Sequence, residues 1–228
     1  MGLLELTKVE KKYTKGKMEV TALSGVDLTI EKGEFLAVVG PSGSGKTTLL
    51  NIIGCLDTAT AGSIRYNGKE LGKMSEKSLS DYRKENIGFI FQSYNLIPVL
   101  SVRENVELPL IIERKLSPQK IRQKAEKIVA IVGLAGKLEC LPGELSGGQE
   151  QRISIARALV KEPLLVLADE PTANLDSKTA EEIIELMKQI NREEKTTFVF
   201  STHDALVQKH AARIVTLKDG LIASDERR

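Results

Sequence analysis

The sequence predicts an α/β protein: a mainly parallel sheet built around a phosphate-binding loop, an antiparallel β part at the N-terminus, and an inserted helical part. Three observations predict it. Short apolar runs at Phe35–Val39, Leu164–Ala168, Phe198–Phe200 and Ile214–Leu217 read as strands buried on both faces, with helical patterns between the later ones. The first run leads into Gly40-Pro41-Ser42-Gly43-Ser44-Gly45-Lys46-Thr47, a complete G-x-x-x-x-G-K-[ST] pattern in a strand–loop–helix setting. Residues 3–32 instead alternate apolar and polar positions, as in Val20, Ala22, Val26, Leu28 and Ile30, the period of antiparallel strands with one buried face.

The elements follow in order. After the glycine-rich loop a helix is expected through Thr47–Ile53. Gly43 and Gly45 let the backbone curl, so that successive N–H groups face a β-phosphate at a positive helix end. Lys46 is placed to bridge β- and γ-phosphates. The run Ile87–Phe91 is a strand closed by Gln92. Ser101-Val102-Arg103-Glu104 is a capping box, and Pro109 should kink or end the helix it opens. Ser117-Pro118 starts another helix, with Ile121, Ala125, Ile128 and Val132 on its apolar face and Gly133 closing it. Leu145-Ser146-Gly147-Gly148-Gln149 opens a helix whose apolar face is Ile153, Ala156 and Val160. The strand Leu164–Ala168 ends in two carboxylates, Asp169 and Glu170, which point to different sides. Ile183, Leu186, Met187 and Ile190 mark one stripe of a helix beginning near Asp176, a candidate N-cap. Ser201-Thr202-His203-Asp204 follows the Phe198–Phe200 strand, and His210, on a helix face, reads as structural.

Composition narrows the function classes. The 228 residues carry 33 Lys and Arg against 31 Asp and Glu, a net charge of +2 that gives no reason to expect nucleic acid as a partner. Lysines 8, 11, 12, 15 and 17 form a local basic run, read as a solvated face or as a rim near the phosphate site. Cys55 and Cys140 match no metal spacing and imply no disulfide, which fits a reducing, cytoplasmic setting. The start, Met1 to Leu6, does not look like a secretory signal, and no apolar run reaches 18 residues. A transport role would need its channel on another polypeptide.

The phosphate loop and the pentapeptide LSGGQ, in this order and about a hundred residues apart, resemble the ATP-binding-cassette (ABC) ATPases. The resemblance runs from about Leu3 to Ala223 with every motif in family order. It implies one cassette over 1–228. Residues 1–94 and 146–228 would form a P-loop NTPase core with its antiparallel part, and about 95–145 a helical signature subdomain. It implies ATP and Mg²⁺ as ligands. Gly40, Ser42, Gly43, Ser44, Gly45, Lys46, Thr47 and Thr48 would hold the phosphates, Thr48 at the α-phosphate, and Tyr13 would stack on adenine. Thr47, Gln92 and Asp169 would serve the metal. Glu170 would be general base, His203 would bond the γ-phosphate, and Gln92 would touch the metal or the attacking water. Leu145, Ser146, Gly147, Gly148 and Gln149 would reach the ATP of a second chain, and Asp176 would sit in the loop that crosses to it. The implied partners are an ATP-dependent, head-to-tail homodimer and a separate transmembrane permease docking after Gln92, with the chain peripheral on the inner face of the cell membrane.

Gly40–Asp57 and Ile87–Leu110 resemble more narrowly the subfamily of lipoprotein release, macrolide or peptide export and cell-division complexes. Two positions depart from the commonest pattern: Glu150 follows LSGGQ, and Ala59-Thr60-Ala61-Gly62 lacks a proline. Two other functions remain alongside transport: a regulatory ATPase gating an envelope or cell-division process, and a soluble, non-transport ABC protein.

Overall fold

Strand β3 (Phe35–Val39), β8 (Thr197–Ser201) and β7 (Leu165–Asp169) show why the apolar runs have no polar face: their alternate residues enter different cores. Leu36, Val38, Val199, Leu165 and Leu167 pack on one side; Phe35, Phe198, Phe200, Val166 and Ala168 pack on the other. A strand has period two, so a sheet buried on both faces must be apolar throughout. The structure, a computed structural model, describes residues 2–16, 18–72 and 74–228.

Within it, a six-stranded sheet has the order β10-β9-β3-β8-β7-β6, completed by β6 (Ile87–Ile90), β9 (Arg213–Lys218) and β10 (Leu221–Arg227). All its neighbours pair in parallel except the β9–β10 edge hairpin. A second, antiparallel sheet has the order β2-β1-β4-β5, from β1 (Leu4–Lys15), β2 (Met18–Ile30), β4 (Ala61–Tyr66) and β5 (Lys69–Glu70). It shares a core with α1 (Lys46–Ile53) and one face of the parallel sheet. The opposite face is covered by α3 (Val102–Glu113), α4 (Pro118–Ile131), α5 (Gly147–Leu159), α6 (Ser177–Glu194) and α7 (Ala205–His210). Short 3₁₀ turns at Ala135–Lys137 and Pro142–Glu144 join α4 to α5. The inserted helices have no separate core. Val102, Val106, Leu110, Ile121 and Val129 pack in one cluster with Ile153, Val166 and Phe198, with α5 between.

Several sequence expectations need correcting. Val20 is exposed, although it belongs to the alternating set. The β1–β2 register skips Gly25 and Ala22, and each skip turns the following side chains to the other face. Leu23 is thereby buried and the tip of the hairpin stands clear. Pro109 does not end α3, which runs on to Glu113; Leu110, 2% exposed, anchors the turn beyond it, and packing outweighs one missing backbone bond. In α4 Val129 is buried and Ile128 only partly so. Helix α2 (Glu76–Asn86) is missing from the sequence reading because only Leu79 of it is buried, leaving no apolar stripe to see. Of the basic run, Lys11 is buried against Asp57 at 2.5 Å and Lys12 pairs with Glu19 at 3.0 Å. Lys17 and the side chain of Lys15 lie outside the described residues, as does Met1.

One buried cation ties both sheets together. Arg213, 7% exposed at its side chain, donates to Glu34 at 2.9 Å, to Asp225 at 2.7 Å and to the Thr29 carbonyl at 2.8 Å. Arg213→Ala leaves Glu34 with only the exposed Arg227, at 3.2 Å, and leaves Asp225 and the Thr29 carbonyl without this donor. It is expected to cost about 3 kcal/mol, measured by denaturant unfolding. Hydrogen bonding to Arg213 holds the Asp225 carboxyl below its ordinary value. Its contribution is therefore complete above the unfolded value of about 4 and fades as pH falls through the lower folded one. Asp225→Asn should make the acid limb of the stability profile shallower.

Candidate functional site: a nucleotide site at four strand ends

Four adjacent parallel strands, β3, β8, β7 and β6, end side by side, and each delivers one predicted motif. β3 runs into Gly40–Thr47, β8 into Ser201–His203, β7 into Asp169–Glu170, and β6 stops two residues before Gln92. Ligands bind at the carboxyl ends of such sheets because loops and helix N-termini converge there. The sequence separation from Gly40 to His203 is erased by the parallel pairing of β3 with β8 and of β8 with β7.

The phosphate loop needs its glycines for steric reasons. Gly40 has φ 153°, and a Cβ there would lie 2.1 Å from the Leu217 carbonyl oxygen. Gly45, at φ 103°, is the N-cap of α1, where a Cβ would meet the Ala22 carbonyl at 2.5 Å. The backbone therefore passes between β9 and β2 with no room for a side chain. Lys46 Nζ donates to the carbonyls of Gly40, at 2.8 Å, and Pro41, at 3.0 Å, so the ammonium is held over its own loop. Ser44 is buried, and its Oγ makes no hydrogen bond. Ser42, Gly43 and Thr47 are exposed, Thr48 half-buried. An orphaned hydroxyl, a lysine and a helix N-terminus around one curl of backbone fit a phosphate group.

Opposite the loop, two carboxylates differ in environment. Burial pushes the Asp169 carboxyl above its ordinary value, and the neighbouring Glu170 adds to this; a Ser201 hydrogen bond and Lys46 act against it. A half-buried carboxylate whose charge is penalised in this way fits a divalent cation, which would restore the ionised form. Glu170 sits at φ 46° and donates its N–H to the Ser201 carbonyl at 2.9 Å. Its Oε2 accepts from the Thr202 hydroxyl at 3.0 Å, and its Oε1 lies 2.6 Å from His203 Nδ1. Both carboxylate oxygens are thus fixed by the Ser201–His203 segment. The sequence reading placed His203 against a γ-phosphate; in this structure its partner is Glu170, and the ring is otherwise open to solvent, 77% exposed.

Tyr13 lies in β1 rather than in a loop, paired with Val20 across the hairpin. Its hydroxyl donates to Asp57 Oδ2 at 2.8 Å, and Lys11 Nζ stands 4.8 Å from the ring centroid. With 40% of the residue exposed, the ring presents a surface while its edge is anchored. Asp57 was not foreseen, since nothing in its surroundings marks it as a partner 44 positions away.

The pentapeptide stands apart from the loop. Ser146 caps α5: its Oγ accepts from Gln149 N at 3.4 Å, while Gln149 Oε1 accepts from Ser146 N at 3.1 Å. Leu145 packs into the core beside α5. A Cβ on Gly147 would stand 3.1 Å from the Tyr94 hydroxyl, and one on Gly148 only 2.4 Å from Thr179 Cγ2. Asp176 caps α6 by accepting from the N–H groups of Lys178 and Thr179, both at 3.1 Å, and from the Thr179 hydroxyl at 2.6 Å. Among the described residues no hydrogen bond joins Leu145–Gln149 to the phosphate loop. Two unforeseen links tie the motifs together. Asn174 donates to the Gln92 carbonyl at 2.9 Å, and Arg157, on α5, donates to the carbonyls of Tyr94 and Asn95, both at positive φ.

Known proteins resemble this chain over most of its length. The family model described as ABC transporter matches residues 23–173. An uncharacterised ABC transporter ATP-binding protein of Thermotoga maritima is 45% identical over 99% of this chain and 96% of its own length. The lipoprotein-releasing system ATP-binding protein LolD 1 of Rhodopseudomonas palustris is 45% identical, over 97% and 98%. A macrolide export ATP-binding/permease protein, MacB of Mannheimia succiniciproducens, is 44% identical over 99% of this chain but only 35% of its own length. Among solved structures, the dimeric ATP-binding cassette MJ0796, bound to ADP and Pi in a post-hydrolysis state, has a TM-score of 0.89 at 43% identity, covering 98% of each chain. CbiO1 of Clostridium perfringens, part of the transporter complex cbiONQ, has a TM-score of 0.90 at 28% identity, covering 99% of this chain and 88% of its own. A phosphate loop, paired carboxylates and an LSGGQ helix on one framework, together with these matches, place the chain in the ABC transporter family as an ATP-binding cassette.

Proposed function

We propose that this protein is the ATP-hydrolysing subunit of a membrane ABC complex, closing head to tail as a homodimer on two MgATP and driving a permease on a separate chain. The observation that carries the reading is the split site: four strand ends assemble a hydrolytic centre, while the LSGGQ helix end stays clear of that centre's phosphate loop. A second copy supplies the missing side, and the dimeric relatives support this pairing. Residues 1–94 and 146–228 form the nucleotide core, and about 95–145 the helical part leading to the signature. Of the described residues, no helix is long and apolar enough to cross a membrane. The separate permease and a peripheral place on the inner membrane face follow from that reading, and the kinship with LolD and MacB supports export of lipoprotein, peptide or drug cargo.

Each residue then has a task. Tyr13 offers its ring to adenine. The backbone N–H groups of Gly43 to Thr48 hold the phosphates, with Lys46 between the β- and γ-groups and Ser44 Oγ available to an oxygen that its burial otherwise leaves unmet. Mg²⁺, held by Thr47, Asp169 and Gln92, would neutralise phosphate charge. Glu170, its carboxylate oriented by Thr202 and His203, takes a proton from water as that water attacks the γ-phosphorus and ADP leaves. Ser146, Gly147 and Gly148 present donors to the partner's ATP, with Leu145 and Gln149 setting the helix end. Asp176 holds the loop at the dimer contact.

His203→Ala is expected to slow turnover at least tenfold while leaving thermal unfolding unchanged, because the exposed ring packs against little besides Glu170. Wild-type turnover would make the histidine dispensable. The function itself is tested by purifying tagged protein from gently solubilised membranes under MgATP and reconstituting what accompanies it. A stoichiometric few-span permease that stimulates hydrolysis in vesicles is expected; ribosomal or DNA-associated partners in its place would overturn the transport reading and leave the ATPase chemistry standing.

A further inference from the structure

His210 closes α7 with its side chain only 8% exposed, and two carboxylates of α6 face it. Glu181 Oε1 lies 3.0 Å from Nε2 and Glu185 Oε1 lies 3.0 Å from Nδ1. The first contact is a hydrogen bond. The second lacks hydrogen-bond geometry, so Nδ1 is a buried ring nitrogen without a hydrogen-bond partner. Glu181 and Glu185 are spaced i, i+4 and share one face of the helix. Among the described residues neither carboxylate pairs with any Lys or Arg, so two negative charges meet at one buried imidazole.

One ligand atom from each of the three residues lies within 4.8 Å of the other two. Ligands at 2.0–2.1 Å around a tetrahedral zinc ion stand about 3.4 Å apart, so a closure of about 1.4 Å completes the set. The glutamates can supply it by side-chain rotation, since they are 44% and 53% exposed, while the buried histidine stays fixed. Imidazole with carboxylates suits a divalent transition cation.

We propose that Glu181, Glu185 and His210 form a site for one divalent cation of the zinc class, distinct from the nucleotide metal. Its place gives it a consequence. Helix α7 starts two residues after His203, and α6 starts one residue after Asp176. A cation bridging them clips the segment that carries the histidine facing Glu170 to the helix that follows the dimer-contact loop.

Calorimetric titration of Zn²⁺ into the nucleotide-free, chelator-washed full chain tests the site. One ion per chain is expected, bound at least tenfold more weakly by Glu181→Gln and by Glu185→Gln. Both substitutions keep the side-chain shape at carboxylates that are 44% and 53% exposed, and circular dichroism verifies folding. Glu170→Gln should bind zinc as the wild type does. Absence of saturable binding would overturn the proposal and leave His210 as a hydrogen-bond partner of Glu181 alone. So would affinity unchanged in both glutamate variants, or lost in Glu170→Gln, since the ion would then sit elsewhere.

Discussion

Glu170→Gln is expected to bind ATP as the wild type does, lose hydrolysis by roughly 100- to 10,000-fold, and accumulate as an ATP-bound dimer. The amide keeps the shape and can still accept from Thr202, but it cannot take the proton of an attacking water. His203 also loses its charged partner at 2.6 Å, a contact for which an amide is a poorer acceptor. On the proposed head-to-tail reading hydrolysis releases the partner chain, so blocking it holds both copies together. Size-exclusion chromatography with light scattering in saturating ATP measures the second effect, phosphate release the first. A strictly monomeric Glu170→Gln protein would sink the two-chain site; normal turnover would remove Glu170 from the role of base.

Lys46→Ala should lower nucleotide affinity about a hundredfold with the fold intact. The ammonium now bonds only the Gly40 and Pro41 carbonyls, which lie in its own loop, so its removal disturbs no distant packing. What is lost, on the proposed reading, is a positive charge for the β- and γ-phosphates. Charge-assisted hydrogen bonds contribute about 1.5–3 kcal/mol each, and 2.8 kcal/mol corresponds to a hundredfold change in Kd. Titration calorimetry with ATP measures this. Unchanged affinity would show that the loop binds phosphate through its backbone alone, and that the lysine has some other task.

The motifs were legible because each is encoded in a few contiguous residues whose local geometry the chemistry demands. Gly40 and Gly45 have conformations that a Cβ could not share, so their identity carries structural information by itself. Caps are equally local: Ser101, Ser117 and Asp176 each bond backbone groups two or three residues on, and each was identifiable from its neighbours, whereas the cap at Ser146 came from the structure. Helix α2 and the phase of β2 were not legible. A helix that buries one leucine has no stripe, and a bulge is set by the strand it pairs with.

Sequence alone therefore determined which groups are present: a phosphate loop, an Asp169-Glu170 pair at a strand end, and an LSGGQ helix end, along with the α/β class. Only the tertiary structure decided which of these groups meet. The sheet order β3-β8-β7-β6 brings Gly40, His203, Glu170 and Gln92 to one edge from four separate stretches of chain. It also decided that His203 faces Glu170, that Asp57 anchors Tyr13, that Asn174 bonds Gln92 while Arg157 of the signature helix bonds Tyr94 and Asn95, and that His210 lies between two glutamates. The physical reason is range. Backbone conformation is constrained by a residue and its near neighbours, whereas a side-chain contact across 29 or 44 positions exists only once strand pairing and core packing have folded the chain back on itself.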